Sequence, residues 1–315
     1  MPQDLSVLSM LSLVNNCGFP WLDYNTRAVL LGTGLLGAAA GLVGTYLVLR
    51  KRALIGDAVG HATLPGIAIA FLTAEAFVPG SGKQTWVLTL GATLTGVGGA
   101  AAIASLSRAR RVGPDTAQAA VLGLFFGVGA ALFQIIQQIP TGNAAGLNGY
   151  LYGKAASLVI GDVWFFATAA SAILIAIVAF HKEFVLLCFD PEYARATGVP
   201  VRRLDLLLTG LAVAITVLGL QSVGLVLVVA TLTIPPAAAR FWTNRAGVMA
   251  ILSAALGALA AMVGVMLSAN IPKLATGATI VVTMGILFAL SLVVGPQGGL
   301  LARGIRNRVD GAPTR

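Results

Sequence analysis

The sequence predicts an all-α fold: a polytopic membrane bundle of about eight or nine transmembrane helices. The chain has 315 residues, of which 57% are hydrophobic and only 10% are charged, and its mean hydropathy is +0.91. Soluble domains carry roughly a quarter charged residues, so this composition excludes an ordinary soluble enzyme. The 38 glycines indicate helices that approach one another closely, and the four-residue spacing of Gly37 with Gly41 and of Gly123 with Gly127 is a helix-packing signal. Two cysteines are too few for a disulfide scaffold.

Nine apolar stretches have, or nearly have, the length of about 17–25 residues that crosses roughly 30 Å of hydrocarbon. In chain order they cover residues 28–49, 54–74, 86–106, 117–139, 163–180, 204–220, 224–239, 247–269 and 274–295. The two short stretches on either side of Gln221 leave the count at eight or nine. Residues 27–295 are therefore predicted to form the transmembrane domain. Residues 1–26 are predicted to be an outer-side N-terminal segment and residues 296–315 a cytoplasmic tail.

The distribution of positive charge predicts the orientation of the chain in the membrane. The net charge is +9, which by itself is compatible with nucleic-acid binding. If the first stretch runs from outside to inside, however, 16 of the 20 Lys and Arg residues lie in inner segments and 4 in outer ones. Because inner loops of membrane proteins are enriched in these residues, the basic excess is explained as a topology signal. We predict a multi-pass protein with a cytoplasmic C-terminus and no nucleic-acid partner.

Asp57 and His61 are the clearest ionisable residues inside a predicted span. They are four residues apart, so they share one face of a helix. Their depth is near the middle of the membrane, where an ionisable side chain usually has a partner or a task. Pro65 follows one turn later, and we expect it to break the helix, as membrane helices are broken where they line a cavity.

Three interpretations of this pair remain open on spacing alone. It could be an ion pair that fixes helix packing, a proton relay, or half of a site for Mn²⁺, Fe²⁺ or Zn²⁺, which suit a carboxylate and an imidazole better than Cu⁺ or Mg²⁺ do. No other His, Cys or acidic residue falls clearly within a span, so further ligands would be carbonyls, hydroxyls, amides or water. A site that is incomplete releases its ion, which translocation requires.

The chain carries no nucleotide-binding motif and no nucleophile–base set of a hydrolase. We therefore predict no enzymatic activity and no permanently bound cofactor. A transport subunit is the function class that these absences favour.

The longest polar inner segment, residues 180–203, predicts a short helix at the membrane surface. Asp190 is a suitable N-cap, Pro191 suits the first helical position, and Gly198 suits the end. The helix carries Phe189 and Tyr193, so it looks like a docking element for a cytosolic partner. The alternative is a helix that lies on the lipid headgroups. His181, just before it, is expected to be solvated at the interface.

Several of these motifs resemble those of a known family. Residues 54–66, Leu-Ile-Gly-Asp-Ala-x-x-His-Ala-x-Leu-Pro-Gly, are similar to the second-helix signature of the manganese/zinc/iron class of ABC-transporter permeases. Residues 189–198, Phe-Asp-Pro-Glu-Tyr-Ala-Arg-x-x-Gly, resemble the cytoplasmic coupling helix of that family. Residues 221–224 and 233–240 match the segment that follows, and residues 147–153 are a looser version of its Leu-x-x-x-Leu-Phe-Gly motif.

The resemblance implies the transmembrane subunit of an importer in a bacterial plasma (inner) membrane, which passes Mn²⁺, Zn²⁺ or Fe²⁺ inward. It implies a homodimer or a pair of permeases, cytosolic ATP-binding cassette subunits that hydrolyse ATP, and an extracytoplasmic metal-binding protein. Asp57 and His61 would line the metal path. Residues 184–200 would be the coupling-helix region. The residues that would dock the ATPase are Phe189, Asp190, Glu192, Tyr193, Ala194 and Gly198.

Two other functions stay open at this point. One is a permease for metal chelates or cobalamin, for which we expect a wide polar cavity and no intramembrane Asp–His pair. The other is a secondary metal carrier that needs neither a partner nor ATP.

Overall fold

The computed structural model describes residues 24–78, 84–109, 112–138, 160–271 and 274–302. These ranges contain eleven α-helices and no strand. The helices are α1 (Tyr24–Leu49), α2 (Ile55–Phe77), α3 (Thr85–Leu106), α4 (Pro114–Gln137), α5 (Ile160–Ala179), α6 (His181–Phe189), α7 (Pro191–Ala196), α8 (Val201–Ser222), α9 (Leu225–Ala239), α10 (Ala246–Asn270) and α11 (Thr276–Val294). Three predicted features lie wholly or partly outside the described residues. They are the N-terminal segment 1–26 up to residue 23, the motif at 147–153, and the tail 296–315 beyond residue 302.

Helices occupy all nine predicted apolar stretches. Seven of them (α1 to α4, α8, α10 and α11) are long and apolar enough to cross a membrane singly. α5 and α6 meet this length and hydropathy only together and are bent by 67°, so the described residues hold seven candidate spans, or eight if the bent pair is one span. At 15 residues α9 is shorter, yet its ends are level with those of α11. At one end the carbonyl oxygen of Val223 lies 3.7 Å from the Cβ position of Gly277, and at the other Gln297 N–H donates to the Phe241 carbonyl over 3.0 Å.

The expected break at Pro65 is wrong, because α2 continues through this residue to Phe77. α4 approaches closely there: a Cβ added at Gly129 would lie 3.2 Å from the Cδ atom of Pro65. Packing of a neighbouring helix is one way in which a membrane helix tolerates proline, so the ring is accommodated without ending the helix. α9 likewise continues through Pro235 and Pro236.

The two most extensive helix contacts are those of α1 with α10 and of α2 with α3. Glycines bring α1 and α10 together, as the spacing of Gly37 and Gly41 predicts. A Cβ at Gly37 would lie 2.7 Å from the carbonyl oxygen of Gly257, and the Ser253 hydroxyl donates to the Gly41 carbonyl over 2.8 Å. Backbones in such contact exclude any larger residue, which is how small residues associate membrane helices.

The similar pair Gly123 and Gly127, expected from its spacing to pack against another helix, does not do so among the described residues. Both glycines lie on the exposed face of α4, and a Cβ at either position would meet nothing within 4 Å. The spacing therefore identifies a stripe of small residues, but it does not reveal whether another helix of the chain covers it.

Charged and polar contacts join the helix ends on the side of the bundle that the charge distribution predicts to be cytoplasmic. The Asp205 carboxylate of α8 accepts from Arg50 Nη2 at 3.0 Å and from Arg52 Nη1 at 2.7 Å. The prediction that His181 is solvated is wrong: it is half-buried at the start of α6, and its Nδ1 lies 2.7 Å from the hydroxyl of Tyr46. His181 is the first residue after the bend between α5 and α6, and it contacts α1 at this point.

Candidate functional site

Asp57 and His61 are the accessible positions on the buried first half of α2. From Ile55 to Ala68, all residues of this helix except these two are buried. The His61 side chain is 21% exposed and that of Asp57 is 32% exposed. The two ionisable side chains of this stretch therefore reach a surface of the bundle, whereas its apolar side chains pack inside.

The two side chains meet as their spacing predicts. His61 Nε2 lies 3.3 Å from Asp57 Oδ1. The His61 ring stands edge-on to that of Phe126 from α4, with 4.9 Å between the centroids and 81° between the planes. With Nε2 directed at the carboxylate, His61 Nδ1 is buried and has no hydrogen-bond partner in the described part of the chain. Sequence reasoning missed Phe126, because nothing in the spacing of α4 indicates which aromatic ring will fix the imidazole.

Within the described residues, no basic side chain other than His61 pairs with Asp57. The two arginines nearest in the chain, Arg50 and Arg52, are engaged with Asp205 instead. The described ranges hold no cluster of three or more His, Cys, Asp or Glu residues able to hold a metal. One chain thus offers a carboxylate and an imidazole, which together form a partial ligand set for a divalent transition metal.

The predicted docking segment forms a short helix with both predicted ends. The Asp190 carboxylate caps α7 by accepting from the Tyr193 N–H over 2.9 Å, and Pro191 is the first residue. Gly198 has φ of +81°, a left-handed conformation that costs glycine nothing. Beyond it, Val199 N–H returns to the Ala194 carbonyl over 2.9 Å. These bonds satisfy the helix ends and fix a helix that would be too short to persist alone.

The docking candidates divide into a surface set and a supporting set. Phe189 is 63% exposed and Tyr193 58% exposed, and Asp190 and Glu192 lie beside them at the surface. Ala194 is fully buried against the bundle. Gly198 shapes the turn as described above. Four of the six residues thus present an aromatic and acidic surface, whereas Ala194 and Gly198 hold the helix in place.

Comparison with known proteins gives matches over nearly the whole chain. Residues 23–295 match the sequence model of the ABC 3 transport family. The manganese transport system membrane protein MntC of Bacillus subtilis is 40% identical over 290 residues, which cover 91% of this chain and 65% of MntC, less than two thirds of its length. The zinc transport system membrane protein TroC of Treponema pallidum is 39% identical over 286 residues, covering 91% of this chain and 94% of TroC.

A solved structure shares the fold. A chain of PsaBC from Streptococcus pneumoniae, determined in complex with Fab, superposes with a TM-score of 0.74. The sequence identity is 27%, and the match covers 96% of this chain and 99% of that one. The helix arrangement described above is therefore one that is observed in a solved protein.

Proposed function

Because the chain belongs to the ABC 3 transport family, we propose that it is the permease subunit of an ATP-driven importer for Mn²⁺ or Zn²⁺. The observation that carries the proposal is the exposure of Asp57 and His61 on an otherwise buried stretch of α2. The names of the relatives MntC and TroC support manganese and zinc as cargo, and iron does not occur among the names compared.

Asp57 and His61 would coordinate the ion transiently. A carboxylate oxygen and an imidazole nitrogen give two ligands, and water would supply others. A cation so bound keeps part of its hydration shell, so it dissociates readily towards the next position on the path. The contact between the two side chains, with His61 Nε2 3.3 Å from Asp57 Oδ1, keeps the two ligand groups together.

The partners follow from the family assignment. We propose a dimer of permeases that forms the path between its copies, two cytosolic ATPase subunits, and an extracytoplasmic protein that delivers the ion. The exposed surface of α7 would seat in a groove of the ATPase, so that closure of the ATPase moves the spans between outward-open and inward-open states. This arrangement assigns ATP hydrolysis to the separate subunit and places the C-terminus of the permease in the cytoplasm of a bacterial cell.

Uptake by reconstituted vesicles tests the assignment of Asp57 and His61. Vesicles would contain the permease with its ATPase and delivery protein, and uptake of Mn²⁺ would be measured with and without ATP and in competition with Zn²⁺. We expect Asp57→Ala and His61→Ala each to reduce ATP-dependent uptake by at least about tenfold, since ligand loss costs at least as much as the loss of an outer-shell partner. Asp115→Ala, at an exposed acidic residue in the first turn of α4, is the matched control.

The other interpretations predict different results from the same variants. A packing ion pair predicts a loss of thermal stability in both variants and in their double mutant, with uptake falling only as folded protein is lost. A proton relay predicts that metal uptake persists with an altered pH dependence. Normal uptake by both variants would remove the pair from the mechanism, and uptake by the chain alone without ATP would favour a secondary carrier.

A further inference from the structure

A second polar site lies at the inner ends of the helices. A pocket of about 450 Å³ opens between the α1–α2 turn, the end of α3, the start of α4, and the stretch from α7 into α8. Five guanidinium groups and one carboxylate line it, so its net charge is +4. These groups belong to Arg50, Arg52, Arg108, Arg195, Arg202 and Asp205.

The protein neutralises only part of this charge. Asp205 uses one carboxylate oxygen for Arg50 and the other for Arg52, at 3.0 and 2.7 Å. Among the described residues, Arg108, Arg195 and Arg202 have no acidic partner within salt-bridge distance. A concave site with this excess of positive charge concentrates anions, and a phosphate is the anion whose geometry guanidinium groups match best.

Gln118 indicates that the ligand of this pocket also carries a hydrogen-bond donor. This side chain also lines the pocket and is only 1% exposed. Its Nε2 donates to the Pro114 carbonyl over 3.2 Å, but its Oε1 is buried without a partner in the described residues. A buried acceptor without a donor is costly, and a hydroxyl group on the ligand would satisfy it.

Apart from two hydroxyl groups, which donate to backbone carbonyls one turn earlier in the chain, the remaining walls of the pocket are apolar and lead into the membrane. From Arg108, two residues beyond α3, the lining runs back along this helix to Ala100 over about 12 Å. Ile55, Ile103 and Leu206 of α8 also line the pocket, and about half of the Leu206 surface is exposed. A soluble anion would gain nothing from these walls, whereas the glycerol backbone and first methylenes of a lipid would be buried against them.

We propose that this pocket binds an anionic phospholipid of the inner leaflet whose headgroup carries a hydroxyl, as phosphatidylglycerol does. The phosphate lies among the arginines, the headgroup hydroxyl donates to Gln118 Oε1, and the upper acyl chains follow α3. Basic pockets between membrane helices on the cytoplasmic side bind lipid headgroups in this way. A phosphate held by both Arg195 and Arg52 links α7 to the start of α2. The proposal concerns lipid binding and does not depend on the identity of the cargo.

Lipid binding by the purified full-length chain in detergent tests the proposal. Phosphatidylglycerol, phosphatidylcholine with the same acyl chains, and inorganic phosphate would be compared by thermal shift, and retained lipid would be measured by native mass spectrometry. We expect stabilisation by phosphatidylglycerol alone. Each arginine near the headgroup contributes about fivefold to affinity, so Arg108→Gln with Arg202→Gln should weaken binding about 30-fold.

Arg203→Gln is the matched control, because Arg203 is the next residue on α8 and is exposed but does not line the pocket. Undiminished affinity of the double variant, or an equal loss in Arg203→Gln, would overturn the proposal. Equal stabilisation by inorganic phosphate would reassign the pocket to a soluble anion and overturn it too. So would a double variant that retains the lipid but no longer binds the ATPase, since the pocket would then receive an acidic surface of that partner. If the double variant does not fold, Arg202→Gln alone should lose about fivefold.

Discussion

Gly41→Ala on α1 should loosen the most extensive helix contact of the bundle. A Cβ at position 41 would lie 2.5 Å from the carbonyl oxygen of Ser253 and 2.8 Å from its carbonyl carbon. Both atoms belong to the backbone of α10, which cannot turn aside as a side chain can. The helices must therefore separate, and the hydrogen bond from the Ser253 hydroxyl to the Gly41 carbonyl, now 2.8 Å, lengthens or breaks.

The magnitude follows from a comparison with Gly123→Ala on α4. A Cβ at Gly123 meets nothing within 4 Å, so this substitution changes only helix propensity. That contribution, about 1 kcal/mol in favour of alanine, is common to both variants and cancels in the comparison. What remains at Gly41 is overpacking, at about 1–3 kcal/mol, and one weakened hydrogen bond, at about 0.5–1.5 kcal/mol. We expect the two variants to differ by about 1.5–4.5 kcal/mol in unfolding free energy.

Thermal unfolding of the purified variants in one detergent would measure this difference. Gly41→Ala should melt below the wild-type protein, and Gly123→Ala at or above it. Size-exclusion chromatography of both variants would show whether Gly123 also affects association between copies, which is a separate effect from the stability of one chain. Equal melting temperatures would show that the α1–α10 contact relaxes without cost and would refute the packing argument.

Two further predictions concern the inner face. Tyr193→Asp should weaken binding of the ATPase to the permease in nanodiscs at least tenfold, because it places a charge on the exposed aromatic surface of α7, whereas Tyr193→Phe should bind normally. Equal affinity of the two variants would locate docking elsewhere. Asp205→Asn should lower the stability by about 2 kcal/mol, because Arg50 and Arg52 lose the charge of the carboxylate that both contact. Thermal unfolding would detect it, and an equal effect of Asp115→Asn, at an exposed residue, would contradict the reasoning.

The positions of the helices were predictable because the length of an apolar run determines whether it can cross a membrane. The way in which helices bend was not predictable, since bending depends on neighbours. Pro65 does not break α2, where α4 packs against the ring at Gly129. Conversely, α5 and α6 meet at 67° after Phe180, inside a segment without proline. In the second case His181, the first residue after the bend, contacts the Tyr46 hydroxyl of α1.

The site was predictable to the extent that it is local. A separation of four residues on a helix brings Asp57 and His61 together whatever surrounds them, and the caps of α7 likewise use residues close in sequence. Accessibility is a property of the whole bundle. That this pair is exposed while the rest of residues 55–68 is buried depends on α3, α4, α8 and α9, which pack around the other faces of α2.

The clustering of the arginines that line the pocket is likewise a property of the whole bundle and cannot be predicted from local sequence. The side of the membrane predicted for them follows from a count along the chain, because the positive-inside rule applies to each residue independently of the others. Their convergence does not follow: Arg52 and Arg108 come from two separate connections and Arg202 from the start of α8, and the adjacent Arg203 satisfies the rule equally well without lining the pocket. If the positive-inside rule were the only constraint, these side chains would be spread over the inner surface. That five of them line one pocket beside a Gln118 oxygen with no partner among the described residues is therefore an additional feature, which a phosphate with a nearby hydroxyl would account for.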